Sequence, residues 1–172
     1  MISFAINGLE LVISAGRVNQ PRKINEVLGK VREGIVQVLD AKSVAGLLHV
    51  LHAVKLAVHS WKKGERFARE DSLDLLCWIA AERQIEIAIR KVGIKPETQE
   101  VVVIALGRPG ESERLMREVI ELLGLREESK LLETSEDKLE HLRQLYSIPA
   151  WLKGGEVEKM ILEKIAMLEL KK

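Results

Sequence analysis

Apolar and polar positions change period several times along the chain, and each change marks an element. Ile2, Phe4 and Ile6 alternate with small or polar residues, Asn7-Gly8 is a favoured two-residue turn, and Leu9 to Ser14 returns as a second strand, predicting an N-terminal hairpin. Pro21 suits a first helical position, and Ile24, Val27, Leu28 and Val31 form one side of a helix stopped near Gly34. Ile35 to Leu39 is short, apolar and β-branched, a strand that delivers Asp40 as a cap for a helix over 41–62. At about 100° per residue, Leu47, Val50, Leu51, Ala53, Val54, Ala57, Val58 and Trp61 occupy one side of that helix, its core side.

Leu75 to Ala81 is apolar all round, which predicts a helix surrounded by other elements, spanning 71–92 at the centre of the fold. Asp71 serves as its cap, Asp74 favours the positive end of its dipole, Gly93 suits a left-handed C′ position, and Pro96 blocks continuation. Glu100 to Leu106 reads as an interior strand, followed by a Gly107-Arg108-Pro109-Gly110 turn and a helix ending at Gly124. Leu131-Leu132 reads as a short edge strand, and Thr134 with Asp137 caps a helix broken at Ile148-Pro149. Gly154-Gly155 sets off a last helix, 156–170. The expected fold is α+β: a single domain over 1–172, with a small mixed sheet and about six helices around the central one.

With 47% apolar residues in 172, the chain can bury a sizeable core, while 3% aromatic and 31% charged residues make that core aliphatic and the surface dense in mixed charge. The net charge of +1 means that any contact with nucleic acid uses a local patch, not overall charge. Cys77, the sole cysteine, falls in the apolar helix and reads as a packed small side chain. Neither a signal peptide nor an apolar run of transmembrane length is visible, so a cytoplasmic protein is expected.

The local patch lies opposite the core side of helix 41–62. His49, His52, Lys55, His59, Lys62 and Lys63 form a stripe interrupted only by Leu48 and Leu56, with no carboxylate until Glu65, and Arg66 and Arg69 extend it into the next loop. A phosphate backbone can lie along such a band while imidazoles or Trp61 offer stacking faces. The alternative is a solvated helix face with some histidines satisfied in packing. No metal is expected, because the three- and seven-residue histidine spacings lack acidic or thiol ligands and adjoin lysines. The glycine turn at 107–110 lacks a Lys-Ser/Thr pair and is followed by Glu111 and Glu113, so it is no phosphate loop. No catalytic set and no cofactor motif can be named.

The strings LDAKSVAGLLHVLHAVKLAV and LLCWIAAERQIEIAIRKVGI resemble the small tRNA-binding subunit of the archaeal KEOPS complex. The resemblance rests on Asp40-Ala41, Val44-Ala45-Gly46, His49, Ala53, Ala57, Arg83-Gln84-Ile85 and Gly93-Ile94, and covers Ile35 to about Leu106. Glu82 departs from the small residue expected before Arg83, and Cys77-Trp78 from an aliphatic-Tyr pair. The resemblance implies a non-catalytic subunit that binds the 3′ CCA end of tRNA and recruits it to KEOPS for threonylcarbamoyladenosine modification beside the anticodon. It also implies docking on the atypical kinase subunit through helices that include the C-terminal one; no DNA or membrane partner is expected.

On the residues themselves, the expected RNA surface comprises His49, His52, Lys55, His59, Lys62, Lys63, Arg66, Arg69 and Arg83. The expected docking element is helix 156–170, with Val157, Met160, Ile161, Leu162, Ile165 and Leu168; Met167 and Leu170 add apolar surface beyond one stripe. A protein-interaction scaffold, or a kinase regulator without direct RNA contact, is the alternative function.

Overall fold

A computed structural model describes residues 1–170 and divides the chain into two compact units. The first comprises 1–41 and 94–131, the second 42–93 and the stretch from 132 onward; neither is one continuous segment.

The first unit is a sheet with two helices. Strands β1 (Ile2–Ile6) and β2 (Leu9–Arg17) form the expected hairpin, with Asn7 at φ 49° and Gly8 at φ 86° in its turn. The turn needs positive φ at both positions, which Asn and Gly tolerate best. Strand β3 (Ile35–Asp40) and strand β4 (Glu100–Gly107) complete the order β1-β2-β4-β3, and a two-residue strand β5 (Arg126–Glu127) pairs with the far end of β2. Every pairing is antiparallel. The mixed sheet expected from sequence is therefore corrected, because alternation within a strand specifies its faces and not the direction of its neighbours.

Helices α1 (Lys23–Lys30) and α5 (Glu111–Leu123) belong to this unit. Ile24 and Val27 of α1 and Met116, Val119 and Leu123 of α5 join Val12, Val36, Val38, Val101, Val103 and Ala105 of the strands in one core. The start of α5 explains why its glycine turn holds no phosphate. The Glu10 carboxylate accepts the Gly110 N–H at 2.9 Å and the Glu111 carboxylate accepts the Arg108 N–H at 2.9 Å. The chain's own acids occupy the donors that an anion would use. Leu131-Leu132, expected as a strand, closes a 3-10 turn over Ser129–Leu132 instead.

The second unit is helical. A 3-10 turn (Ala41–Ser43) precedes α2 (Leu47–Lys62), which therefore starts later than expected. The central helix, expected as one element over 71–92, breaks in two, α3 (Asp71–Ala80) and α4 (Ile85–Val92), and the described residues form seven α-helices. The break is a helix end built on a non-glycine residue: Ala81 sits at φ 54°, its N–H bonds the Trp78 carbonyl, and the Glu82 N–H bonds the Cys77 carbonyl. Gly93 was expected to be that left-handed residue but is extended; its use is close approach, since a Cβ there would meet the Ile89 carbonyl oxygen. Asp71 is no cap either, because it pairs with Arg66 at 2.7 Å.

Helices α6 (Glu136–Leu145) and α7 (Gly154–Leu170) close the second unit. Thr134, expected to cap α6, instead lies 2.8 Å from both the Ala45 carbonyl and a Glu158 carboxylate oxygen. Against α2, α3 and α6, helix α7 buries Val157, Ile161, Ile165 and Leu168. No described helix is long and apolar enough to cross a membrane.

Candidate functional site

All nine residues expected to contact RNA fall in the second unit. Helices α2 and α3 pack antiparallel: the first turn of α2 meets the last turn of α3 through His49 and Ile79, and the last turn of α2 meets the first turn of α3 through Trp61 and Asp74. This pairing decides which arc of α2 is open.

Lys55, His59 and Lys62 are exposed on α2 at i, i+4 and i+7, with Lys63, Arg66 and Arg69 exposed directly after them. Helix α2 contains no acid. In space the band is not free of acid, because Glu169 of α7 reaches Lys63 at 3.5 Å and Asp71 pairs with Arg66. Arg83 is exposed but follows the far end of α3, a ten-residue helix about 15 Å long. The structure thus groups Lys55 to Arg69 and sets Arg83 apart from Arg66 and Arg69.

His49 leaves the band altogether. It is completely buried; the Ala45 N–H donates to its Nδ1 at 3.1 Å, and its Nε2 donates to the Ile79 carbonyl at 2.8 Å. Burial lowers its pKa to about 4, against the opposing bond to Ile79, so the imidazole is neutral at physiological pH. The physical reason for this correction is that the end of α3 covers the start of α2, and Tyr146, just after α6, stands edge-on to the ring at 5.7 Å. His52 is half-buried and its pKa is lowered, chiefly by burial, with the Leu162 backbone opposing and Lys55 assisting.

His49 belongs to a polar cage around the C-terminal carbonyls of α3. Lys91 donates to the Ala80 carbonyl at 2.7 Å and its ammonium lies 4.6 Å from the Tyr146 ring centroid. Tyr146 Oη bonds the Ser43 carbonyl at 2.9 Å, and the buried Lys138 donates to the Val44 carbonyl at 3.2 Å. His49 and Lys91 satisfy the Ile79 and Ala80 carbonyls that the buried end of α3 leaves over and face the negative end of its dipole, while Tyr146 and Lys138 satisfy carbonyls of the segment that precedes α2.

The other end of α3 carries a feature that the sequence reading missed. Asp74, fully buried, accepts four hydrogen bonds: from Trp61 Nε1 at 2.7 Å, Trp78 Nε1 at 3.2 Å, the Phe67 N–H at 2.5 Å and the Ala68 N–H at 3.0 Å. A buried carboxylate needs such donors to offset lost hydration. The result pins the loop carrying Lys63, Arg66 and Arg69 to the helix bundle. The available sequence signal was an acid inside an otherwise apolar helix.

The residues expected to dock a partner divide. Val157, Ile161, Ile165 and Leu168 are buried in the second unit, which corrects their reading as partner surface; a helix packed on three others spends its main stripe there. Met160 and Leu162 are half-buried, while Met167 and Leu170 are exposed. Cys77 is buried, and desolvation pushes its thiol up to about 12, leaving an inert packed side chain. A groove of about 310 Å³ between α1 and α5 has a floor of Val27, Leu115 and Val119 and a rim where Arg114 pairs with Glu33 at 3.6 Å. It assembles no nucleophile with a base.

The family described as kinase binding protein CGI-121 matches residues 17–169. The chain is also 35% identical over 136 residues to a protein of Methanocaldococcus jannaschii named regulatory protein Cgi121, the aligned stretch covering 79% of this chain and 84% of that one.

Proposed function

Because the chain belongs to the CGI-121 family of kinase binding proteins, we propose that it is a non-catalytic, cytoplasmic subunit of the KEOPS complex that binds the 3′ CCA end of tRNA. It delivers that tRNA for threonylcarbamoyladenosine formation next to the anticodon while docked on the atypical kinase subunit. ATP chemistry and transfer of the modification belong to other subunits, and this chain supplies affinity and position.

The observation that carries the RNA part is the run of exposed cations Lys55, Lys62, Lys63, Arg66 and Arg69 with His59 among them, on a helix without acids and a loop held by Asp74. A pinned loop presents its charges at a lower ordering cost than a free one. The test is a gel-shift titration with intact tRNA and with the same tRNA lacking its 3′ CCA. The reading expects affinity to fall sharply without the tail, to fall steeply with salt, and to be largely lost in the Lys55→Glu, Lys62→Glu double variant with its fold intact. Equal binding of both tRNAs leaves charge-driven association alone.

A second reading, kinase regulation without RNA contact, draws on the exposed Met167 and Leu170 of α7. It expects no tRNA binding and full kinase capture in a pull-down.

A further inference from the structure

Within the RNA-binding reading, on which this inference rests, we propose that the indole of Trp61 is the stacking surface for an unpaired base at the single-stranded end of the RNA, with Arg66 as its companion cation and Asp74 as the residue that positions it.

Three observations meet at this ring. Its edge is fixed, because Nε1 donates to Asp74 Oδ2 at 2.7 Å and Asp74 is itself held by three further donors. An indole held this way keeps one orientation before any ligand arrives. The Arg66 guanidinium lies over the ring, 5.7 Å from its centroid, close to the outer limit of about 6 Å for such contacts. Finally, the ring is half-buried in the last turn of α2, between the exposed His59 and Lys62. The contact with Arg66 places it at the margin of the cationic band, on the side that faces α3.

The geometry allows a base to enter. Two van der Waals layers of about 3.5 Å separate indole from guanidinium when a base lies between them. The guanidinium now rests over the ring, its carbon 5.7 Å from the centroid, so Arg66 swings outward to admit the base. Its side chain is 34% exposed and has the room. The base then lies between an aromatic face and a guanidinium plane, an arrangement that tolerates any base, while Lys62, Lys63 and Arg69 are near for phosphates.

The test is fluorescence anisotropy of a short labelled single-stranded RNA ending in CCA, using the whole chain and its Trp61→Ala, Trp61→Phe and Lys55→Glu/Lys62→Glu variants, each checked by thermal melting. Trp61→Ala should weaken binding about fivefold to 150-fold with an unchanged slope of log affinity against log salt, since no phosphate contact is lost. Trp61→Phe, which keeps a ring but loses the bond to Asp74 that orients it, should bind between the wild type and Trp61→Ala. The double variant should lower the salt slope instead. Wild-type binding with Trp61→Ala within about twofold of it overturns the stacking role and leaves the RNA reading standing; absence of wild-type binding removes both. If Trp61→Ala melts too low to compare, Trp151→Phe decides: with Trp78 buried, its exposed-type emission comes from Trp61, and RNA at saturation quenches it or the proposal fails.

Discussion

His49 donates from Nε2 to the Ile79 carbonyl at 2.8 Å while its Nδ1 accepts the Ala45 N–H, so a single neutral tautomer ties the start of α2 to the end of α3. A proton on Nδ1 would set donor against donor.

Stability should follow that proton. The folded pKa of about 4 lies below the ordinary 6.5, so between these values the unfolded chain binds more protons and stability falls as pH falls. The contribution is complete above pH 6.5 and about 2 kcal/mol of it is gone at pH 5. Urea titrations at pH 7 and pH 5 measure the difference; His49→Gln should shrink it, and an equal pH dependence in the variant would assign the effect elsewhere.

Asp74→Asn keeps the shape of the side chain and an acceptor for the backbone N–H groups, but one amide NH2 then confronts the indole donors. The expected cost is about 3 kcal/mol by chemical denaturation, with loss of ordered tryptophan signals in near-UV circular dichroism. A change under about 0.5 kcal/mol would mean that the carboxylate is not the hub of the loop.

Ala81→Gly should stabilise the protein. The residue lies at φ 54° and ψ 44°, a conformation that costs an L residue about 1–2 kcal/mol, part of which the greater unfolded-state freedom of glycine returns. A gain of about 0.5–1 kcal/mol in denaturant titration is expected.

On α7, Ile165→Asp places a charge in the core and should unfold the second unit or lower its stability by several kcal/mol, about 3 or more. Leu170→Asp, on a residue 81% exposed, should melt like the wild type. A kinase pull-down then becomes interpretable for Leu170→Asp and Met167→Asp, whereas lost capture by Ile165→Asp would report unfolding alone.

Local patterns carried much of the architecture. The hairpin was legible from alternation around Asn7-Gly8, the strands at 35–39 and 100–106 from short branched runs, and the end of α5 from Gly124, because each depends on neighbours a few residues away. The break at Ala81 was not legible. Nothing in Ala80-Ala81-Glu82 disfavours a helix, and the carbonyl left at Ala80 is answered by Lys91, which comes from the next helix.

The sequence by itself determined the α+β class, the apolar stripes, and the cationic run from Lys55 to Arg69, since periodicity fixes the angles at which side chains leave a helix. Only the tertiary structure decided which arcs stay open. A helical wheel gives relative angles and says nothing of where a second helix lies; here the neighbours of α2 cover His49 and leave Lys55, His59 and Lys62 in water. The same packing placed a carboxylate at Asp74 under Trp61, thirteen residues away in sequence and 2.7 Å away in space.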